Sequence, residues 1–563
     1  MTDPSDDLAH LDAIELLDAF RAGTASPLDA LDACIANVER LDSALNAVIT
    51  PTFDLARARA ANSMTRWHQR DPRPLEGVPY LMKDIVATEG VRTTGGSAVY
   101  GDWVPDFSAT IVERLDAAGA VMVAKVSTKE FAFGHETNRT YGPTRNPWDL
   151  RRTTGGSSAG SGAGVAARYA PLAIGTDSGG SIRDPSSFCG LTGLKPTFGR
   201  VSRHGVMPLT WSLDVVGPMA RSAYDAALMM DVIAGHDPLD PSSSHRPRPH
   251  YVDELGDGRL DGVRFGIPTS WFWDVVDPDL EAAADRARAQ LEALGARFVP
   301  VDVSDISLAD TIGLTILLAE FSAAHEITWD RLDQYDERNR EVLPAGLFVA
   351  ASDYLRAARI RHLVQRSMER TFDGIDLLWT PAQIAGAPLL DSMTTEIDGR
   401  TLSHPKDWLR TFVIFNVTGQ PAATVPVGFD RHGMPLALQF VGRPHDDALT
   451  LRAAHAFQQV TDHHRVVPPI VTGHDRPAAP PVRDHSAAAA RAGDPSPETI
   501  EMMRTMAVRM GVPIDEQGLI DAARFDAFLA PMQRALRSIP LSFTELIEPA
   551  KAYAWIEAGG TSP

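Results

Sequence analysis

Between Thr153 and Ala167 the sequence reads TTGGSSAGSGAGVAA, and from Gly175 it continues GTDSGGSIRDP. Two runs this dense in glycine and serine admit four solutions: a flexible linker, a phosphate cradle, a nucleophile elbow, or a catalytic loop built from backbone. A linker fits poorly, because the first run passes directly into VAARYAPLAIGT, an Ala-rich helical stretch followed by a strand-like one. The GSGAG of residues 160–164 lacks the buried strand that must precede a dinucleotide fingerprint, since DLRRTT comes before it. The Lys-Ser/Thr pair of a Walker loop is missing as well. Gly156–Gly160 matches G-x-S-x-G and His463 and His464 follow late in the chain, but the elbow also needs a strand before its serine.

The fourth solution accounts for both runs. In GTDSGGSIR the backbone N–H groups of Ser178, Gly179, Gly180 and Ser181 can converge on one point, and glycine lets a substrate approach that closely. Serine is a weak nucleophile and needs a base. The first run offers a second serine as a proton relay, and Lys83, in GVPYLMKDIVATEG, can serve as the base if burial neutralises it. A free lysine titrates near about 10.4, and reaching roughly 7.5 means destabilising the ammonium by about 4 kcal/mol.

Charge and composition narrow the partners. A net charge of −20 without a basic cluster argues against binding to nucleic acid. Two cysteines, Cys34 and Cys189, provide neither a disulfide framework nor a cysteine-rich metal site. The N-terminus starts acidic, unlike a signal peptide, and TIGLTILLAEF is too short to span a bilayer. A soluble cytoplasmic protein is expected.

The remaining pattern is α/β. From residue 8 to about residue 67, apolar residues recur at helical spacing, with Gly23 and Ser26-Pro27 marking a stop and a capped restart. Residues 77–86 read as a strand. SATIVERLDAAGAVMVAKV and EAAADRARAQLEALGARFVPVDV each read as helix, Gly turn and strand. A mixed β-sheet covered on both faces by helices is predicted over residues 1–471. Residues 472–497 are an Ala/Pro-rich linker, and 498–563 form a small helical module with an extended tail. In that module Ile500, Met503, Met506 and Met510 line one face, and Leu519, Ala522, Phe525, Leu529 and Met532 another.

GVPYLMKD, GPTRNPWDLRRTTGGSSAGS, IGTDSGGSIRDPSSFCGLTGLKPTFGRVSRHGVMP and LDVVGPMARS occur together and in order. In this respect the chain resembles the amidase signature family over roughly residues 5 to 470. The resemblance implies that Ser181 is the acylated nucleophile, Ser157 the bridging serine behind a cis peptide, and Lys83 the base. It also implies an oxyanion hole from the N–H groups of residues 178–181, and no metal or cofactor. Asp177, Arg183 and Ser158 are expected to support the loops. Phe131 and Phe133 fall where relatives line the acyl pocket, although an ordinary core role suits them equally. Lys195 belongs to a structural part of the signature.

The family spans hydrolases of amides, carbamates and ureido compounds, and the A subunit of glutamyl-tRNA(Gln) amidotransferase. EFAFGHETNRTYGPTRNPWD is similar to the amidotransferase chain. That chain, however, holds glutamine with an arginine and an aspartate, whereas Leu409 aligns with the aspartate and the residues aligned with the arginine, 343–346, are Leu-Pro-Ala-Gly. A free-standing amidase acting on a small amide, carbamate or ureido substrate is therefore favoured. The C-terminal module resembles the helper chains of some amidases, such as the one paired with carboxybiuret hydrolase. An unrelated appendage for homodimerisation is the other reading.

Overall fold

The computed structural model describes residues 8–303, 306–473, 495–512, 514–539, 541 and 556–559. Its first helices start and stop where the sequence predicts. Gly23 ends the helix Ala13–Ala22 in left-handed backbone (φ 72°). Ser26 caps Pro27–Leu45, its Oγ accepting the Asp29 N–H at 3.2 Å, with Pro27 in the first turn. Before the next helix, Phe53–His68, comes a short strand β1 (Val48–Pro51) that periodicity missed. Four residues cannot display an alternation, and such a strand exists because an edge is there to pair with.

Ten further strands join β1 in one sheet. They are β2 (Pro79–Lys83), β3 (Val121–Val126), β4 (Leu172–Asp177), β5 (Thr192–Lys195) and β6 (Val215–Ala220). Later in the chain come β7 (Arg264–Pro268), β8 (Arg297–Val301), β9 (Leu377–Pro381), β10 (Ala422–Phe429) and β11 (Pro435–Val441). The spatial order is β1-β3-β2-β4-β6-β5-β10-β11-β9-β7-β8. The sheet is mixed: β2 runs parallel to both β3 and β4, whereas β6 runs antiparallel to β4 and β5.

Successive residues of β2 enter different cores, which is the signature of a strand covered on both faces. Tyr80 and Met82 pack with Ile111, Leu115 and Met230, while Leu81 packs with Leu31, Val123 and Ala163. The helix Ala159–Ala166 presses so closely on the second face that a Cβ at Gly160 would lie 2.6 Å from the Ala47 carbonyl oxygen. The first glycine-rich run is thus partly a packing device. Cys34 and Cys189 are buried and unpaired.

One expectation is corrected. Residues preceding the first run do form a strand, Asp149–Thr153, paired antiparallel with Arg145–Asn146. It belongs to a two-stranded hairpin outside the central sheet, with half-exposed arginines, and therefore does not create an elbow.

Most of the predicted linker and tail lies outside the described residues. The helices Pro497–Met510 and Glu516–Ser538 are present. The second docks on the helices Glu337–Gly346 and Ala351–Thr371, where Arg537 pairs with Asp353 and the Arg356 Nε donates to the Leu536 carbonyl at 2.6 Å. Met503, Leu519, Ala522 and Leu529 are buried as their spacing requires, but Met506 faces solvent at 36% exposure. Among the described residues no helix is long and apolar enough to cross a membrane.

Candidate active site

Strand β2 ends at Lys83, which delivers its side chain into the sheet interior. Lys83 Nζ lies 2.8 Å from Ser157 Oγ and 2.8 Å from Thr176 Oγ1, all three groups being buried. Desolvation by burial brings the Lys83 pKa down to about 7 against the opposing pull of Asp177 and Asp214. Lys195 is also buried and brought down to about 7, and Lys125 to about 8. Geometry rather than pKa distinguishes the three: Lys195 Nζ donates to the Pro196 carbonyl at 3.0 Å, and Lys125 faces Asp84 at 3.7 Å.

Both serine loops meet at this lysine. The Gly156-Ser157 peptide is cis, and Ser157 is 2% exposed. Ser158 ties the loops together: its N–H donates to the Ser181 carbonyl at 3.2 Å, and its Oγ donates to the Thr176 carbonyl at 3.2 Å. Ser181 itself is partly open to solvent, and its hydroxyl has no hydrogen-bond partner among the described residues.

Asp177 organises the second loop. Its carboxylate accepts from the Gly180 N–H at 2.7 Å, the Ile182 N–H at 3.2 Å and two nitrogens of Arg183 at 3.0 Å. Arg183 holds the Asp177 carboxyl well below the ordinary carboxylate range, despite complete burial. The same guanidinium reaches the Phe412 carbonyl at 3.2 Å, Asn416 Oδ1 at 2.7 Å and Gln439 Oε1 at 3.2 Å. Gly180 adopts φ 126° against Phe412, whose Cδ2 would stand 2.8 Å from a Cβ there; only glycine fits. One expected oxyanion donor is corrected by this arrangement. The Gly180 N–H is committed to Asp177, which leaves the N–H groups of Ser178, Gly179 and Ser181 facing no described acceptor. The hydroxyl of Ser178 donates to Asp214, whose other oxygen accepts from the N–H groups of Leu209 and Thr210 at 2.9 Å.

The two pocket phenylalanines part company. Phe131 is core: at 2% exposure its ring packs 4.4 Å from His325 and 5.3 Å from Tyr335. Its N–H donates to the Gly95 carbonyl at 2.7 Å. Phe133 is half-buried against Phe321, with the Arg338 guanidinium 4.6 Å over its face. Sequence reasoning passed over Thr176, Asp214, Asn416 and Arg338. Thr176 directly precedes the DSGGS run, and Asn416 lies seven residues beyond Leu409, so position relative to the motifs was the available signal. Among the described residues no cluster of His, Cys, Asp and Glu could hold a metal.

Comparison with known proteins places this architecture. A family profile described as Amidase matches residues 29–451. The A subunit of glutamyl-tRNA(Gln) amidotransferase from Chloroflexus aggregans is 38% identical over 477 residues, covering 79% of this chain and 95% of that one. Its namesake from Moorella thermoacetica is 38% identical, covering 82% and 98%. Among solved structures, a complex described as revealing the evolutionary origins of an s-triazine catabolic enzyme superposes with a TM-score of 0.76 at 33% identity, covering 80% and 98%. 6-Aminohexanoate cyclic dimer hydrolase with its substrate gives 0.75 at 30% identity, covering 82% and 99%. The fold and these relatives define an enzyme acting on carbon–nitrogen bonds. The chain belongs to the amidase signature family.

Proposed function

We propose that Ser181, Ser157 and Lys83 hydrolyse the C–N bond of a small amide through an acyl-enzyme. The observation carrying this reading is the buried 2.8 Å contact between Lys83 and Ser157, supported by the bond that ties the backbone of Ser181 to Ser158, the residue after Ser157. Neutral Lys83 takes the Ser157 proton as Ser157 takes that of Ser181, whose Oγ attacks the carbonyl carbon. The N–H groups of Ser178, Gly179 and Ser181 receive the developing oxyanion. Ser157 then protonates the leaving nitrogen, and water repeats the cycle on the ester. Asp177, Arg183 and Ser158 keep the loops in place without touching the substrate. The helices at 497–538 act as a built-in support for the catalytic region, residues 1–471.

Two measurements test this. After incubation with a fluorophosphonate, intact mass spectrometry should give one adduct, mapped to Ser181, forming slowly in Lys83→Ala. An adduct on Ser158 instead would falsify the assignment. The lysine sets a pH dependence as well. Below pH 7 the ammonium cannot accept a proton, so kcat/KM falls as pH drops through about 7, tenfold per pH unit. A flat profile between pH 5 and 8 would exclude Lys83 as the base.

A second reading has direct support. The relatives named above are amidotransferase chains, matched at higher identity than the solved structures. In it the same acyl-enzyme draws ammonia from glutamine for a partner, and Arg338 beside Phe133 offers a contact for the glutamine carboxylate. Against it, Leu409 packs with Ala382 and Phe412, placing an apolar side chain where the amidotransferase carries its aspartate. Ammonia release from L-glutamine, measured beside that from simple amides, separates the two.

A further inference from the structure

Asp184 stands beside Arg183 in the first turn of the helix Arg183–Cys189, and the two side chains serve different loops. Arg183 seats the loop of Ser181 through Asp177. Asp184 reaches the loop of Ser157, where its Oδ2 accepts the Gly156 N–H at 2.9 Å. Its own N–H donates to the Gly180 carbonyl at 2.7 Å. Gly156 precedes Ser157 and Gly180 precedes Ser181, so this one buried residue touches both serine loops one position ahead of the serine.

Asp184 is itself held. The buried ring of His404 brings Nε2 to 3.3 Å from Asp184 Oδ2 and Nδ1 to 3.6 Å from Glu136 Oε1. Glu136 pairs with Lys129 and accepts the Thr153 hydroxyl at 3.2 Å. Against desolvation by burial, Lys129 and His404 bring the Glu136 carboxyl down to about 2. Lys129 closes the chain on Ser157, its N–H donating to the Ser157 carbonyl at 3.1 Å. Acid and base alternate along Asp184, His404, Glu136 and Lys129, so each buried carboxylate faces a basic group. Two glycines of the first run make room for this chain. A Cβ at Gly155 would lie 2.6 Å from Asp184 Oδ2, and one at Gly156 would lie 2.2 Å from Lys129 Cε.

The relay needs such support. Ser157 passes a proton to Lys83 while taking one from Ser181 and then reverses both transfers, so two distances must stay within hydrogen-bond reach. We infer that Asp184, His404, Glu136 and Lys129 form one clamp that positions Ser157 between Lys83 and Ser181. Resting on the hydrolase reading above, this makes the four positioning residues that act through Ser157. The clamp also brings the Lys129 cation into the field of Lys83, where it opposes the ammonium that Asp177 and Asp214 favour.

The test measures kcat, KM and the pH profile on one primary amide, per folded molecule, with fluorophosphonate labelling of the wild type alongside. Asp184→Ala should lose about 100-fold in kcat, the cost of roughly an ångström of misplacement, with KM little changed. Asp184→Asn, which keeps an oxygen for the Gly156 N–H, should restore most of that loss. His404→Leu should lower kcat as well, and adding it to Asp184→Ala should cost nothing further, because the two act as a unit. In Lys129→Met the midpoint of the kcat/KM profile should move upward from about 7, with activity recovering at alkaline pH. A merely structural role would lower stability and leave the midpoint and kcat per folded molecule in place. If Asp184→Ala does not fold, the Lys129→Met midpoint decides. An unchanged kcat in Asp184→Ala, or an unmoved midpoint in Lys129→Met, overturns the clamp and, with Ser181 labelled in the wild type, leaves the hydrolase reading standing. Absence of a Ser181 adduct on folded wild type overturns both.

Discussion

Replacing Ser181 by alanine is expected to lower kcat by about 10⁶-fold, the loss seen when the nucleophile of a serine relay is removed. Ser157→Ala should cost nearly as much, and the double variant no more than the worse single one. Residues acting as one unit are non-additive in this way, because the second deletion finds nothing left to disable. Turnover of one amide by the three variants checks it, with circular dichroism confirming that each is folded. Losses that multiply would mean the serines work independently, and the proton path from Lys83 through Ser157 would have to be abandoned.

The largest effect on stability is expected at Arg183. In Arg183→Met the Asp177 carboxylate stays buried without its cation, a situation costing about 3–5 kcal/mol. The guanidinium also bridges Phe412, Asn416 and Gln439, so its loss loosens the loop that carries Ser181. Urea unfolding, read at the midpoint, measures the cost. The sign with pH follows from Arg183 holding Asp177 below its ordinary range. The pair contributes fully above the unfolded carboxylate value, about 3.9, and its contribution is lost as pH falls below that. A midpoint shift under about 1 kcal/mol would show the pair to be as weak as one on the surface.

The parts of this molecule legible in sequence are those whose cause is local. Gly23, Ser26 and Pro27 announce a helix boundary within a few residues, and the glycine and serine runs announce loops that approach a substrate closely. Lys83 was legible because a base had to exist and a strand-like segment carried it. The residues missed act across the fold. Asn416 reaches Asp177 over 239 positions, and the Ser178 hydroxyl finds Asp214 only because β6 folds back beside β4. For Phe131 the motif left a pocket and a core role equally open, and only the fold decides between them, by packing the ring against His325 and Tyr335. Gly180 shows a similar limit, since the glycine requirement was visible while the direction of its N–H depended on Asp177.

The sheet order places β10 and β11 beside strands made much earlier, and Arg183 is seated by Phe412, Asn416 and Gln439. During synthesis, then, Ser181 leaves the ribosome long before the residues that seat its loop. An emerging chain shorter than about 440 residues carries Lys83, Ser157 and Ser181 yet lacks the seat. Long-range closure of this kind is slow, and chains of this size fold through intermediates. The nucleophile loop therefore waits for residues 412–439, and a nascent chain that stops short of them holds Lys83, Ser157 and Ser181 without the groups that seat Arg183.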